Sequence, residues 1–387
     1  MSTTHFAILK ANQGELEALK HLDSNTARKI TPLFEIGQIT DAIRERKYMR
    51  TSKTPVMTYL SRALDAIGKV WVAKTAMIDG FNWAADATVE SGQHAMAYLV
   101  QGLAARGVVV IPLVGYDRWG NDIYRLGIAS IPAPIDGRYC LRLDSSAMED
   151  AAEPDHFKEV ISHIIETLAL KPATCSVLLD FGDVSTPSAP IEKLVASASD
   201  VVKQLQRLGF QEYVVAGCSL PRSVDLAVDS HDSTDMVARK EMLTWQALRQ
   251  SLSGIRILYG DYGVRGPTTT EIRSKYTNGK IRHTINKQTF VARGHAFYAD
   301  HSNAQMQDLS TTVVQSPHFL GEKFSWGDAE IKRCSSFGAF GSLSSWIAID
   351  TNHHLTFVVQ EVEEFERNLT VRAREKVEGS PTSLVRQ

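Results

Sequence analysis

Several charged residues of this chain fall where short apolar runs end. Lys10 closes HFAILK, Glu35 lies in ITPLFEI, Lys74 closes KVWVAK and Asp117 follows VVVIPLVG. Asp144 closes YCLRLD, Asp180 lies in CSVLLDFG and Asp261 in IRILYGDYG, with Arg118, Asp183 and Arg222 in the loops that follow. Carboxylates at such places can exchange protons or hold a divalent cation, and lysine and arginine can bind an anion. Glu35, Asp144 and Asp180 are the candidates for acid–base or metal chemistry. Lys10, Lys74, Asp117, Arg142 and Asp261 are the candidates for ligand binding. Taken singly, each carboxylate reads as an ordinary polar strand end; taken together, the set reads as a pocket. Arg142 is the most informative, because it lies inside YCLRLD and shares side-chain parity with Asp144. A buried guanidinium needs a carboxylate partner, and Asp144 or Asp180 can supply one.

A second group lies late in the chain. Asp328 stands three residues after Ser325 in FSWGDAEI, the spacing of a capping box at a helix start. Asn352 is placed to cap the helix that follows it in DTNHHLTFVVQEVEEF. His353 and His354 are adjacent, so they project to different faces and do not suit one metal ion. Half of the twelve histidines fall beyond residue 280, yet no CxxC or i, i+4 histidine pair accompanies them. No metal is therefore assigned. KIRHTINK is basic but short, and nucleic acid is not indicated.

These residues need a frame. Eight apolar, branched runs occur in order: 5–10, 30–36, 69–74, 108–115, 139–144, 175–182, 212–221 and 255–263. Helix-like segments such as GELEALKHL, TYLSRALDAIG and PDHFKEVISHIIETLAL alternate with them, with Pro154 and Pro190 at helix starts and Gly209 at a helix end. Near-continuous apolar strands alternating with amphipathic helices indicate a parallel sheet covered on both faces. Eight such units predict an α/β fold, a (β/α)8 TIM-like barrel over 1–268 that gathers its site at the carboxyl ends of the strands. The alternative is an open doubly wound parallel sheet, but LKANQGE after the first strand carries neither GxGxxG nor GxxxxGK[ST]. Residues 269–387 are expected to form an α+β subdomain packed on the barrel, with a frayed tail from about 371.

Composition narrows the class. The 387 residues include 42 basic and 44 acidic side chains, which leaves no whole-protein charge to draw in nucleic acid or an anionic membrane. The first residues lack the order of a signal peptide, and no apolar run is long enough to span a bilayer. Cys140, Cys175, Cys218 and Cys334 are widely spaced and read as reduced core thiols. A cytoplasmic location, without a membrane, is the expectation.

The opening ILK…GE…AL followed by ITPLFEI, with the distal RGH, FLGEKFSWGD and W…NHHLTFVVQ, resembles the family named after the beta protein of T-even phage. That family is found in phages and scattered through bacterial genomes. The resemblance runs from Ile8 to Gln360, and FSWGD and NHHLT are its most specific pieces. It implies one family along the chain and a role in phage–host conflict or antiviral defence, and it carries over no catalytic residues. LKAN is also similar to the strand-one lysine of alanine-racemase-like enzymes, which form a Schiff base with pyridoxal phosphate. The glycine-serine set that would hold the phosphate is missing, YGDYGVRGP being the nearest stretch, so no cofactor is assigned. Two functional readings follow. In one, the barrel mouth binds an anionic small molecule or nucleotide and acts on it as an enzyme. In the other, the chain is a non-catalytic sensor or scaffold that meets a protein encoded nearby through its carboxyl-terminal third.

Overall fold

The computed structural model describes residues 3–267, 277–297, 304–338 and 341–378, with side chains to residue 371. Eight parallel strands close into a barrel in the order β1-β2-β3-β4-β5-β6-β7-β9. They are β1 (His5–Leu9), β2 (Ile30–Glu35), β3 (Thr75–Asp79), β4 (Val109–Gly115), β5 (Cys140–Leu143), β6 (Ser176–Asp183), β7 (Glu212–Cys218) and β9 (Arg256–Asp261). Closure is made by β1 against β9, with His5 opposite Tyr259 and Ala7 opposite Asp261. Strand parity sorts the side chains. Phe6, Ile8, Leu33, Met77, Cys140, Leu178 and Val214 fill the lumen, whereas Ala7, Leu9, Phe34, Ile78, Leu141 and Leu179 pack outward against the helices.

Every expected strand coincides with an observed one except the third. KVWVAK is the end of an amphipathic helix, Pro55–Trp71, followed by a turn in which Ala73 takes a φ of 58°. Trp71 is fully buried as part of that helix, so an apolar run that resembled a strand is a helix face. The true third strand is TAMID, six residues further on.

A second sheet, antiparallel in the order β10-β11-β8, combines β10 (Asn278–Ile285) and β11 (Gln288–Ala296) with β8 (Ser233–Ala238). β8 arises between the last two barrel strands, so the chain reaches out of the barrel and returns. The helix Gln305–Gln315, the helix Trp326–Phe337 and the long helix Leu343–Glu378 complete this layer. Ser325 caps the second of these, its hydroxyl accepting from the Asp328 amide at 3.1 Å, as the capping spacing predicts.

Asn352 does not cap a helix. The long helix starts earlier, at Leu343, because SSWIAID continues it rather than preceding it. Asn352 is buried inside it and donates from Nδ2 to the Ala18 carbonyl at 3.0 Å, joining the long helix to the helix Gln13–Lys20. These two helices cross so closely that a Cβ on Gly14 would lie 2.6 Å from the Ser344 carbonyl oxygen. The expected frayed tail falls on the last turns of the long helix and on residues 379–387, which lie outside those described. All four cysteines are free and buried. No helix among the described residues is long and apolar enough to cross a membrane.

Candidate functional site

The lumen at the carboxyl ends of the strands is organised by Arg142. Its neighbours on β5, Cys140 inward and Leu141 and Leu143 outward, fix its direction into the barrel. The guanidinium, 1% exposed, donates from Nε to Asp180 Oδ2 at 2.9 Å, from Nη1 to Asp79 Oδ2 at 2.8 Å and from Nη2 to Glu35 Oε1 at 2.6 Å. The Tyr262 hydroxyl lies 3.0 Å from Nη2 and donates to Asp180 Oδ2 at 2.7 Å. The Phe81 ring covers the guanidinium with its centroid 4.0 Å away. Two further cations complete the cluster. Arg118 forks onto Asp79 at 2.8 and 3.2 Å, and Lys10 Nζ donates to Glu35 Oε2 at 3.0 Å and to the Pro267 carbonyl at 2.9 Å.

Three cations thus meet three carboxylates, all strongly buried except Lys10, which is 13% exposed at the rim. Burial alone would raise the Asp79 carboxyl, but Arg118 and Arg142 outweigh it and hold its pKa below the usual range. Burial works against the Arg142 charge, yet Asp180, Tyr262, Glu35 and Asp79 raise its pKa well above that of a free guanidinium. Burial, then the Asp180 charge, pushes the Tyr262 hydroxyl well up, so it remains a proton donor. A network so fully paired is rigid and self-neutralising. The ammonium of Lys10 is spoken for by Glu35 and a carbonyl, which leaves no free amine to form a Schiff base.

Of the sequence candidates, the fold therefore brings together Lys10, Glu35, Arg142 and Asp180. It places the others elsewhere. Lys74 is at the amino end of β3, the opposite end of the barrel, with its ammonium 4.8 Å from the Trp71 ring centroid; the strand-for-helix reading put it on the wrong rim. Asp144 shares parity with Arg142 but lies past the end of β5, where its carboxylate accepts from Ser146 Oγ at 2.7 Å and from the Ala147 amide at 3.4 Å as a helix cap. Asp117 lies beside Arg118, 3.3 Å from its Nε, at the edge of the cluster. Burial raises its pKa, Arg118 opposing and Asp79 adding to the rise.

Asp261 shares parity with the outward-facing Tyr259, so it points away from the lumen toward the long helix. There it accepts from His5 Nε2 at 3.0 Å, His354 Nε2 at 2.9 Å and the Tyr259 hydroxyl at 2.8 Å. The two adjacent histidines do separate as expected: His353 turns to Asp328, 2.8 Å from its Nδ1, and His354 to Asp261. Asn352 Oδ1 accepts from the Gly327 amide at 2.9 Å, so FSWGD and NHHLT meet in space.

Above the rim on the β9–β1–β2 side lies an open cavity of about 610 Å³. Its walls come from the loops after β1 (Asn12, Gln13), β2 (Ile43, Arg46) and β9 (Arg265), from β10 (Lys280, Arg282), and from the start of the long helix (Ser342, Leu343, Ser344). Tyr59, Phe297 and Trp346 add aromatic surface. A larger groove of about 900 Å³ shares Asn12, Gln13, Arg46 and Tyr59 with it and runs on past Lys10, Lys20, Arg62 and Lys69.

The family model described as Beta protein matches residues 6–360. The chain belongs to the Beta protein family. Comparison with curated proteins finds no match. Among solved structures, a GH18 chitinase from Pseudoalteromonas aurantia is similar at 11% identity and a TM-score of 0.34, over 55% of this chain and 92% of that one. Likeness at that level bears on neither reaction nor ligand.

In this Beta protein family member the cavity is electrostatically one-sided. Among the described residues its wall carries Arg46, Arg265, Lys280 and Arg282 and no carboxylate. Arg282 is backed by Asp350, 2.9 Å from Nε, and donates to the Val264 carbonyl at 2.6 Å. The Lys280 ammonium makes no hydrogen bond or ion pair with any described residue. Burial, followed by the nearby Arg282 charge, lowers its pKa to about 8. The first turns of the helix Gln13–Lys20 and of the long helix also face the cavity, adding the positive ends of two helix dipoles.

Sequence reasoning missed Asp79, Tyr262 and the cavity cations. Asp79 had a signal: MIDG repeats the form of LLDFG and YGDYG, an apolar run ending on aspartate with glycine close behind. The cavity cations had none, because they come together only when β10 and the long helix fold over the barrel rim.

Proposed function

We propose that this chain binds a phosphorylated small molecule, with a nucleotide the best-fitting class, in the cationic cavity above the carboxyl-end rim of the barrel. The observation that carries this reading is Lys280, a half-buried ammonium that forms no ion pair with any described residue among three arginines and two helix starts, with Asp350 and Asp225 too distant to offset the fall in its pKa. An unpaired charge at such a site is costly unless a ligand completes it. A phosphate would receive charge-assisted hydrogen bonds from Lys280 and Arg46, and the partly exposed Phe297 offers a face on which a base can stack. The longer groove gives an extended ligand room beyond the phosphates.

Recognition is favoured over catalysis. The carboxylates of the lumen are committed to Arg142, Arg118 and Lys10, so they serve as a rigid floor and not as free acids or bases. Phage–host conflict is the setting that the family resemblance supports, with the bound nucleotide as signal. A thermal-shift panel of inorganic phosphate, pyrophosphate and nucleoside mono-, di- and triphosphates tests the reading. Pyrophosphate or a nucleotide should raise Tm in the parent and not in Lys280→Met. A panel that leaves the parent unmoved would sink it.

A further inference from the structure

We propose that His283, Asp328 and His353 form a binding site for a divalent transition cation of the zinc class, linking β10, the helix Trp326–Phe337 and the long helix. The three side chains are essentially sealed, at 1%, 0% and 0% exposure. One nitrogen or oxygen from each lies within 4.8 Å of the others. Two imidazoles and a carboxylate are a common ligand set for zinc.

The hydrogen-bond inventory points the same way. His353 Nε2 is 2.8 Å from the Thr284 carbonyl, which can only accept, so that nitrogen carries the proton. In a neutral ring the Nδ1 lone pair then faces Asp328 Oδ2 at 2.8 Å, lone pair against lone pair. Something positive must lie between them. A proton on Nδ1 would answer for that pair alone. It would leave Asp328 Oδ1 and both ring nitrogens of His283 without partners in a dry interior. The main chain at His318 approaches His283 but not in hydrogen-bond geometry.

One cation answers for the whole set. His283 Nε2 is 4.0 Å from Asp328 Oδ1, and its ring stacks on His353 with centroids 3.7 Å apart. Ligand atoms around tetrahedral zinc stand roughly 3.3 Å apart, between the two observed separations, so small side-chain rotations suffice. The Thr284 carbonyl on the far nitrogen of His353 is the usual partner of a metal-bound histidine. Phe319, Phe324 and Phe357 surround the two rings and keep water out.

The other His–Asp–His group makes a useful contrast. In His5–Asp261–His354 both carboxylate oxygens already accept two hydrogen bonds, Oδ1 from His5 and the Gly263 amide, Oδ2 from His354 and the Tyr259 hydroxyl. His354 Nδ1 is met by the Thr284 hydroxyl at 2.8 Å. Its carboxylate is fully satisfied without a cation, and of the group only His5 Nδ1 lacks a partner.

The test is metal content and cobalt spectroscopy on the full chain. Protein stripped with a chelator should take up about one equivalent of zinc, gain Tm on doing so, and show the visible bands of tetrahedral or five-coordinate Co²⁺ when cobalt replaces zinc. His283→Phe, which keeps the ring stack on His353, should fold by circular dichroism and lose the cobalt bands. Asp328→Asn should lose them too, although it also disturbs the Ser325 cap. The proposal fails if the parent binds neither zinc nor cobalt and its Tm ignores both metal and chelator. It fails equally if folded His283→Phe retains full uptake.

Discussion

Replacing Lys280 by methionine separates the cost of the cavity from its use. Methionine keeps the length and apolar stem of the side chain and removes only the charge. The folded-state pKa of about 8, against an ordinary value of 10.5, means that the fold disfavours the ammonium. At about 1.4 kcal/mol per unit the gap is worth roughly 3 kcal/mol, and solvent at the cavity mouth reduces this to about 1–2 kcal/mol. Below pH 8 both folded and unfolded chains carry the proton, so the cost is fully present at pH 7. Between about 8 and 10.5 the folded chain releases its proton first, and the cost fades. Lys280→Met should therefore be more stable than the parent by about 1–2 kcal/mol at pH 7, with the advantage gone near pH 10. The assay is urea unfolding followed by circular dichroism at the two pH values. The same variant should lose the Tm gain from pyrophosphate. A variant less stable than the parent at pH 7 would refute the reasoning, because Lys280 would then have a partner in the folded chain.

The rest of the site makes its own demands. Arg142→Met leaves Asp180 and part of the Glu35 and Asp79 charge uncompensated in a sealed lumen, and should cost about 3–5 kcal/mol in denaturant titration. Asp144→Ala should cost only about 1 kcal/mol, the loss of a helix cap, and leave ligand-induced Tm shifts intact. Asp79 has its carboxyl pKa held down by Arg118 and Arg142, so its stabilising effect is complete above its unfolded value near 3.8 and is lost as pH falls through the lower folded value. Asp79→Asn should accordingly flatten the acid limb of a Tm-against-pH curve, while lowering Tm at neutral pH.

The barrel was legible because each strand is apolar on both faces and bounded by helices with proline or glycine at their ends. Arg142 was legible as a buried guanidinium in need of a carboxylate, and of the two partners expected it is Asp180 that it meets. Parity then misled once and was passed over once. It cannot say where a strand stops, so Asp144 looked like a lumen partner although it caps a helix. It also went unapplied to Asp261, whose register with Tyr259 turns it outward. KVWVAK failed for a different reason: six residues of helix end and strand look alike when only one helix face is buried. The cavity and the His283–Asp328–His353 group were out of reach, since their members are separated by tens to hundreds of residues. Only the folding of β10 and the long helix across the barrel rim brings them together.

The most direct test of the phosphate-binding account is isothermal titration of the parent chain with pyrophosphate and with ATP at pH 7 and pH 9.5, alongside Lys280→Met. The account predicts saturable binding at pH 7 that weakens severalfold at pH 9.5 as Lys280 loses its proton, with Lys280→Met binding weakly at both. Absence of heat at millimolar ligand, or binding that neither the pH change nor the substitution alters, would contradict it.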